Sequence, residues 1–351
     1  MSTHSAPLAA VPAPLKLRHR APIWTLLVLA PFIAEVLSGS TRLSILFVFI
    51  PEVMVWGCGA LLAREFVRRW RAGGPSLLLL GLALSVAEEF IIQQTSIAPL
   101  PFAGANAAYG RFLGVNWVYF LFTLGFESIW VVVVPTQITE LFFPAHQRKP
   151  WLRTRGLILT CFFFLLGSFM AWYGWTQQAR RRLMAAPYSP PLSHLAAGFA
   201  AIAVLIALAW MLRNTGHSGC NPARRPWSPW IAGIIVFVLS AAWWKLIVMI
   251  FVPGHYPSAA VTVAAGTLWA LLAFAMVQFL CAPQAWGPMH RWACCFGAIL
   301  TCVVASDLSA AGWTRPDLIA KFVFQACGVA GCLWLALRLR RGAAHSLPAE
   351  S

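Results

Sequence analysis

Ten apolar runs, each between 17 and 23 residues long, divide the chain: 21–37, 43–63, 76–97, 114–135, 157–175, 194–212, 230–252, 259–281, 292–308 and 317–337. A helix needs roughly 20 apolar residues to cross about 30 Å of hydrocarbon, so every run is of spanning length. The runs are continuous rather than alternating, which favours helices over barrel strands. The expected fold is therefore all-α: a polytopic transmembrane helix bundle of about ten spans. Composition agrees, with 60% of the 351 residues hydrophobic and 10% charged. A water-soluble domain carries about 25% charged residues, so that class is excluded.

The first twenty residues are polar and basic, and Ala21–Leu37 is apolar, with Ser38-Gly39-Ser40 as a possible cleavage site. Glu35 interrupts the apolar stretch and nine more runs follow, so the segment reads as a retained signal anchor. Trp24, Trp117, Trp151, Trp175, Trp230, Trp292 and Trp313 stand at run edges, where an interfacial aromatic belt places them.

The net charge of +16 does not indicate nucleic acid, because the cations sit in short clusters between apolar runs. With the N-terminus inside, 18 of the 24 loop cations fall on the cytoplasmic side. The positive-inside rule then puts both termini in the cytoplasm of a plasma (inner) membrane protein. Arg180–Arg182 is the one discordant cluster. The cytoplasmic arginines, including Arg64, Arg68, Arg69 and Arg71, are expected to meet anionic lipid headgroups. A 1–20 tail, six helices over 21–212, a proline-bearing cytoplasmic loop at 213–229, four helices over 230–341 and a 342–351 tail complete the organisation. The stretch 98–113 is a long outer connection.

Of ten acidic residues, five fall inside the first four runs: Glu35, Glu52, Glu88, Glu89 and Glu127. A carboxylate at mid-bilayer costs at least about 2.5 kcal/mol and normally faces a bundle interior or aqueous cavity. At about 1.5 Å per residue, Glu52, Glu88 and Glu127 lie roughly 16, 18 and 12 Å from the cytoplasmic ends of their runs. Three helices thus deliver carboxyls to similar depth. Gln93, four residues after Glu89, is expected on the same face. Asn116, Tyr119, Thr123 and Glu127 form one polar stripe at helical spacing. Pro51 removes a backbone donor beside Glu52. Clustered carboxyls with only Lys245 as an intramembrane cation cannot all be ionised, so a proton or a metal ion is expected among them. Lys245 is either a counter-ion to one of them or a side chain snorkelling outward. Glu140 reads as a solvated helix-end residue, and the histidines as interfacial or loop residues.

The nine cysteines have no metal-binding spacing and read as small packing residues. No Walker loop, HExxH, GxSxG or CxxC occurs, which leaves ATP-driven, zincin-type and serine-hydrolase chemistry without support.

Glu88-Glu89-Phe90-Ile91-Ile92-Gln93 resembles the E-E-x-x-x-R motif of the CAAX prenyl protease and bacteriocin-processing family of intramembrane glutamate proteases. The resemblance implies Glu88 as general base and Glu89 as its partner, with Glu127 in the fourth span nearby. The motif's arginine is Gln93 here, and Glu127 stands close to where the next motif has histidine. Three function classes follow: a divergent intramembrane glutamate protease, a proton- or cation-coupled carrier of a small solute, and a lipid-interacting membrane protein without turnover.

Overall fold

A computed structural model describes residues 20–99, 108–186, 188–214, 225–252, 254–308 and 312–345. Among them the chain is helical almost throughout, with a single two-stranded ribbon. Among the described residues nine helices are long and apolar enough to cross a membrane, as in an integral membrane protein. They are Leu43–Arg69, Gly74–Ile92, Trp117–Phe142, Thr154–Arg182, Leu192–Met211, Pro229–Phe251, Ala259–Cys281, Pro288–Asp307 and Arg315–Arg341. The shorter Ala21–Val36 precedes them. Counting it as the first helix, the others are the second to the tenth. The tenth continues as helix to His345, four residues into the stretch expected to be a tail. The 1–19 and 346–351 tails, half of the 98–113 connection and Pro222 lie outside the described residues.

The first helix is part of the core. Leu26, Ala30 and Ile33 are fully buried in the same apolar cluster as Leu61, Trp130, Ile250, Trp292 and Leu335. That cluster draws on both sides of the 213–229 loop. Two indoles tie the sides together: Trp243 donates to Phe122 O at 3.1 Å and Trp130 to Ala298 O at 2.8 Å. The fifth, sixth and eighth helices instead present apolar side chains outward, among them Phe162, Phe199 and Leu271. An apolar surface of this kind suits lipid rather than water. Trp292 and Trp313, expected in an aromatic belt, are buried, and Trp292 donates to Cys332 O.

Close helix approach builds the part that carries the glutamates. A Cβ on Gly57 would stand 2.3 Å from Leu27 O, and one on Gly81 would stand 3.0 Å from Ser128 Cα. Both glycines let backbones meet where a larger residue would hold them apart. The first, second, third and fourth helices are thereby drawn into one bundle.

At the end of the fourth helix opposite Phe142, Arg111–Phe112 pairs antiparallel with Val115–Asn116. Leu113 and Gly114 both take positive φ, as a two-residue hairpin turn of this twist requires. Arg180, from the discordant arginine cluster, is buried and donates to Pro99 O and Ala186 O. Arg111 reaches Ile97 O and Ala98 O from the other side. Two arginines therefore hold three successive carbonyls, which accounts for much of the basic charge at this end.

Candidate functional site

Four of the five π-helical segments among the described residues coincide with the glutamates. Glu35 lies within Phe32–Val36, Glu52 immediately precedes Val53–Gly57, Glu88 and Glu89 open Glu88–Ile92, and Glu127 opens Glu127–Val133. The wider turn shows in the bond from Gln93 N to Glu88 O at 2.9 Å, five residues apart. π turns are rare and concentrate at functional sites. Four of them on four neighbouring helices make this the candidate site.

The carboxyls lie farther from the arginine-rich end than the apolar runs suggested, because the helices outlast those runs. Glu52 is about 26 Å from Arg69, Glu127 about 22 Å from Phe142 and Glu88 about 21 Å from Gly74. Glu35, on the first helix, lies within electrostatic range of Glu52, Glu88 and Glu127. Its Oε1 accepts from Trp56 Nε1 at 2.6 Å. Glu52 accepts from the Thr41 hydroxyl. Glu89 Oε2 accepts two hydroxyls, Thr95 at 2.7 Å and Ser96 at 2.6 Å. Glu127 stands within side-chain hydrogen-bonding reach of Glu89, and Tyr119 interacts with both.

Glu88 differs from the rest. It is 2% exposed, and neither of its oxygens has a hydrogen-bond partner among the described residues. A buried polar group in that condition costs about 1–3 kcal/mol. Ser85, one turn earlier on the same helix, also leaves its hydroxyl unbonded among the described residues.

Other sequence expectations separate here. Gln93 lies at the end of the third helix and does not hydrogen-bond Glu89, because the π turn breaks the spacing that put them on one face. Thr95 and Ser96 do so instead, from beyond the helix. Asn116 is buried and caps the fourth helix, its Oδ1 accepting from Tyr119 N at 3.0 Å. Lys245 is exposed and forms no ion pair among the described residues, so it is an outward side chain rather than a counter-ion. Lys245→Met should change stability in micelles by no more than about 0.5 kcal/mol and should add strictly to Glu88→Gln in a double-mutant cycle. A coupling well above that would place a carboxylate against the lysine.

A second polar layer occupies the arginine-rich end, and the sequence reading missed it. Arg64, 1% exposed, uses its whole guanidinium: Glu140 Oε1 at 3.2 Å, Glu65 Oε1 at 3.1 Å, and the carbonyls of Lys149, His146 and Gln147 at 2.8, 3.1 and 3.0 Å. It also lies 3.6 Å over the Trp151 ring. Glu65 accepts Trp151 N at 2.6 Å and Leu152 N at 3.2 Å. Glu140, expected in solvent, is 1% exposed and bound by Arg68 at 2.7 Å as well. Arg64 and Arg68 thus both pair with protein carboxylates. This layer pairs each carboxylate with arginine, whereas the carboxyl layer has no cation among the described residues.

Among the described residues no group of three His, Cys, Asp or Glu is arranged to hold a metal ion. The histidines are engaged elsewhere, His194 on Leu113 O and His290 on Trp227 O. No family model, curated protein or solved structure matches the chain.

Proposed function

We propose that the chain is a proton-handling membrane protein, a carrier in which the five carboxyls of Glu35, Glu52, Glu88, Glu89 and Glu127 take up and release protons coupled to movement of a small solute. The observation behind this reading is the meeting of these groups with no cation among them. Carboxyls buried this close together, as Glu88, Glu89 and Glu127 are, cannot all ionise, so at least one of them holds a proton. Intramembrane carboxyls arranged in this way are the usual elements of proton relays. Thr95, Ser96 and Tyr119 supply hydroxyls leading from Glu89, and Thr41 supplies one at Glu52. The charge asymmetry of the loops supports an inner-membrane protein with both termini cytoplasmic, which puts the carboxyl layer nearer the outer face.

A second reading, hydrolysis within the membrane, has one observation in its favour. An open groove of about 280 Å³ is lined by Ile91, Ile92, Ser168, Phe169 and Trp172, the first two of which follow the paired glutamates along the third helix. In that reading Glu88, free of partners, is the general base.

Infrared spectroscopy of the protein in lipid tests the proposal. The carboxylic C=O stretch is expected at neutral pH in the wild type and should weaken in both Glu89→Gln and Glu127→Gln. A wild-type spectrum without that band would mean that the carboxyls meet bulk water, and the proton-handling reading would fail.

A further inference from the structure

At the arginine-rich end, beside the ion pairs, lies a recess of about 240 Å³ lined by Arg68, Gln137, Glu140, Gln147, Arg148 and Arg291. Five arginines meet here around two carboxylates. Arg64, Arg68 and Arg291 bind Glu140, and Arg64 and Arg69 bind Glu65. Arg148 at the recess is exposed and has no hydrogen bond or ion pair to another described residue. The formal balance is three positive charges in excess.

The neutral lining points the same way. Arg291 takes the amide oxygens of both glutamines, Gln137 at 2.9 Å and Gln147 at 3.2 Å. Each glutamine therefore keeps its amide N–H donors uncommitted among the described residues. The one carboxylate in the wall, Glu140, is already covered by guanidiniums. A recess built from planar cationic forks and amide donors suits a tetrahedral oxyanion, which arginine binds in bidentate fashion.

We propose that this recess binds a phosphate-bearing anion, supplied either by a lipid headgroup or by free phosphate. The site is independent of the carboxyl layer and of its proposed role. Basic pockets between helices at a membrane surface commonly take headgroups of this kind.

The unfolding temperature of the full chain in neutral-detergent micelles provides the test. Phosphatidylglycerol, phosphatidylcholine and inorganic phosphate are added separately, with potassium chloride matching ionic strength. A rise with phosphatidylglycerol alone assigns a headgroup, and a rise with inorganic phosphate assigns the free anion. Either supports the site. Arg148→Gln, which breaks no internal bond, should weaken the apparent affinity about tenfold, the loss expected for one charge-assisted contact. Arg181→Gln, an exposed arginine at the opposite end, should respond like the wild type. Absence of a rise with any additive overturns the proposal. So does an Arg148→Gln response equal to the wild type, or an equal loss in both variants.

Discussion

Arg64→Met is expected to destabilise the protein by about 3–5 kcal/mol, the cost of removing one partner from a buried ion pair. The substitution leaves Glu65 without its closest cation and strips the donor from three backbone carbonyls of the 146–149 segment. Arg64→Lys should recover little, because an ammonium has three donors and no planar fork to span five acceptors. Adding Glu65→Gln to Arg64→Met should recover part of the loss, because the buried carboxylate is then neutral, its amide oxygen can still accept from Trp151 N, and Arg69, the other cation on Glu65, is 34% exposed and can turn to water. Chemical denaturation in micelles reads all three variants. A loss below about 1 kcal/mol for Arg64→Met would show that water reaches the guanidinium.

Opposite signs are expected for two adjacent glutamates. Glu88→Leu should raise stability by about 1–3 kcal/mol, because it removes a buried carboxyl that makes no hydrogen bond. Glu89→Leu should lower it by about 1–3 kcal/mol, because the Thr95 and Ser96 hydroxyls lose their acceptor. A residue that weakens the fold it sits in is typical of a functional position. If both substitutions destabilise equally, Glu88 is interhelical glue and its place in proton handling is lost. The same denaturation series decides this.

The spans were legible because each is a continuous apolar run, and all nine long helices overlap one. Their ends were not. Arg64, Glu65, Arg68 and Glu140 look solvent-seeking in sequence and so ended the apolar runs early. Arg64, Glu65 and Glu140 are buried and Arg68 half-buried, in ion pairs and under the 143–153 segment, through contacts between residues more than 70 apart. The glutamates stood out by being charged inside apolar runs. Their hydrogen-bond partners did not, because Thr95 and Ser96 lie past a π turn that 3.6-residue spacing cannot follow. Asn116 carried a readable signal of its own, a capping residue directly before an apolar run. The polar stripe concealed it.

Each π turn holds one residue more than the α turn it replaces. In genetic terms that is one extra codon in an otherwise regular helix. Excising one residue from Glu88–Ile92 restores ordinary pitch and swings everything beyond it by about 100°, carrying Thr95 and Ser96 away from Glu89. A site with one such insertion in each of four helices lies four single-codon steps from a plain apolar bundle. Each step changes which way a helix end faces while leaving its hydrophobic character, and so its insertion into the membrane, untouched.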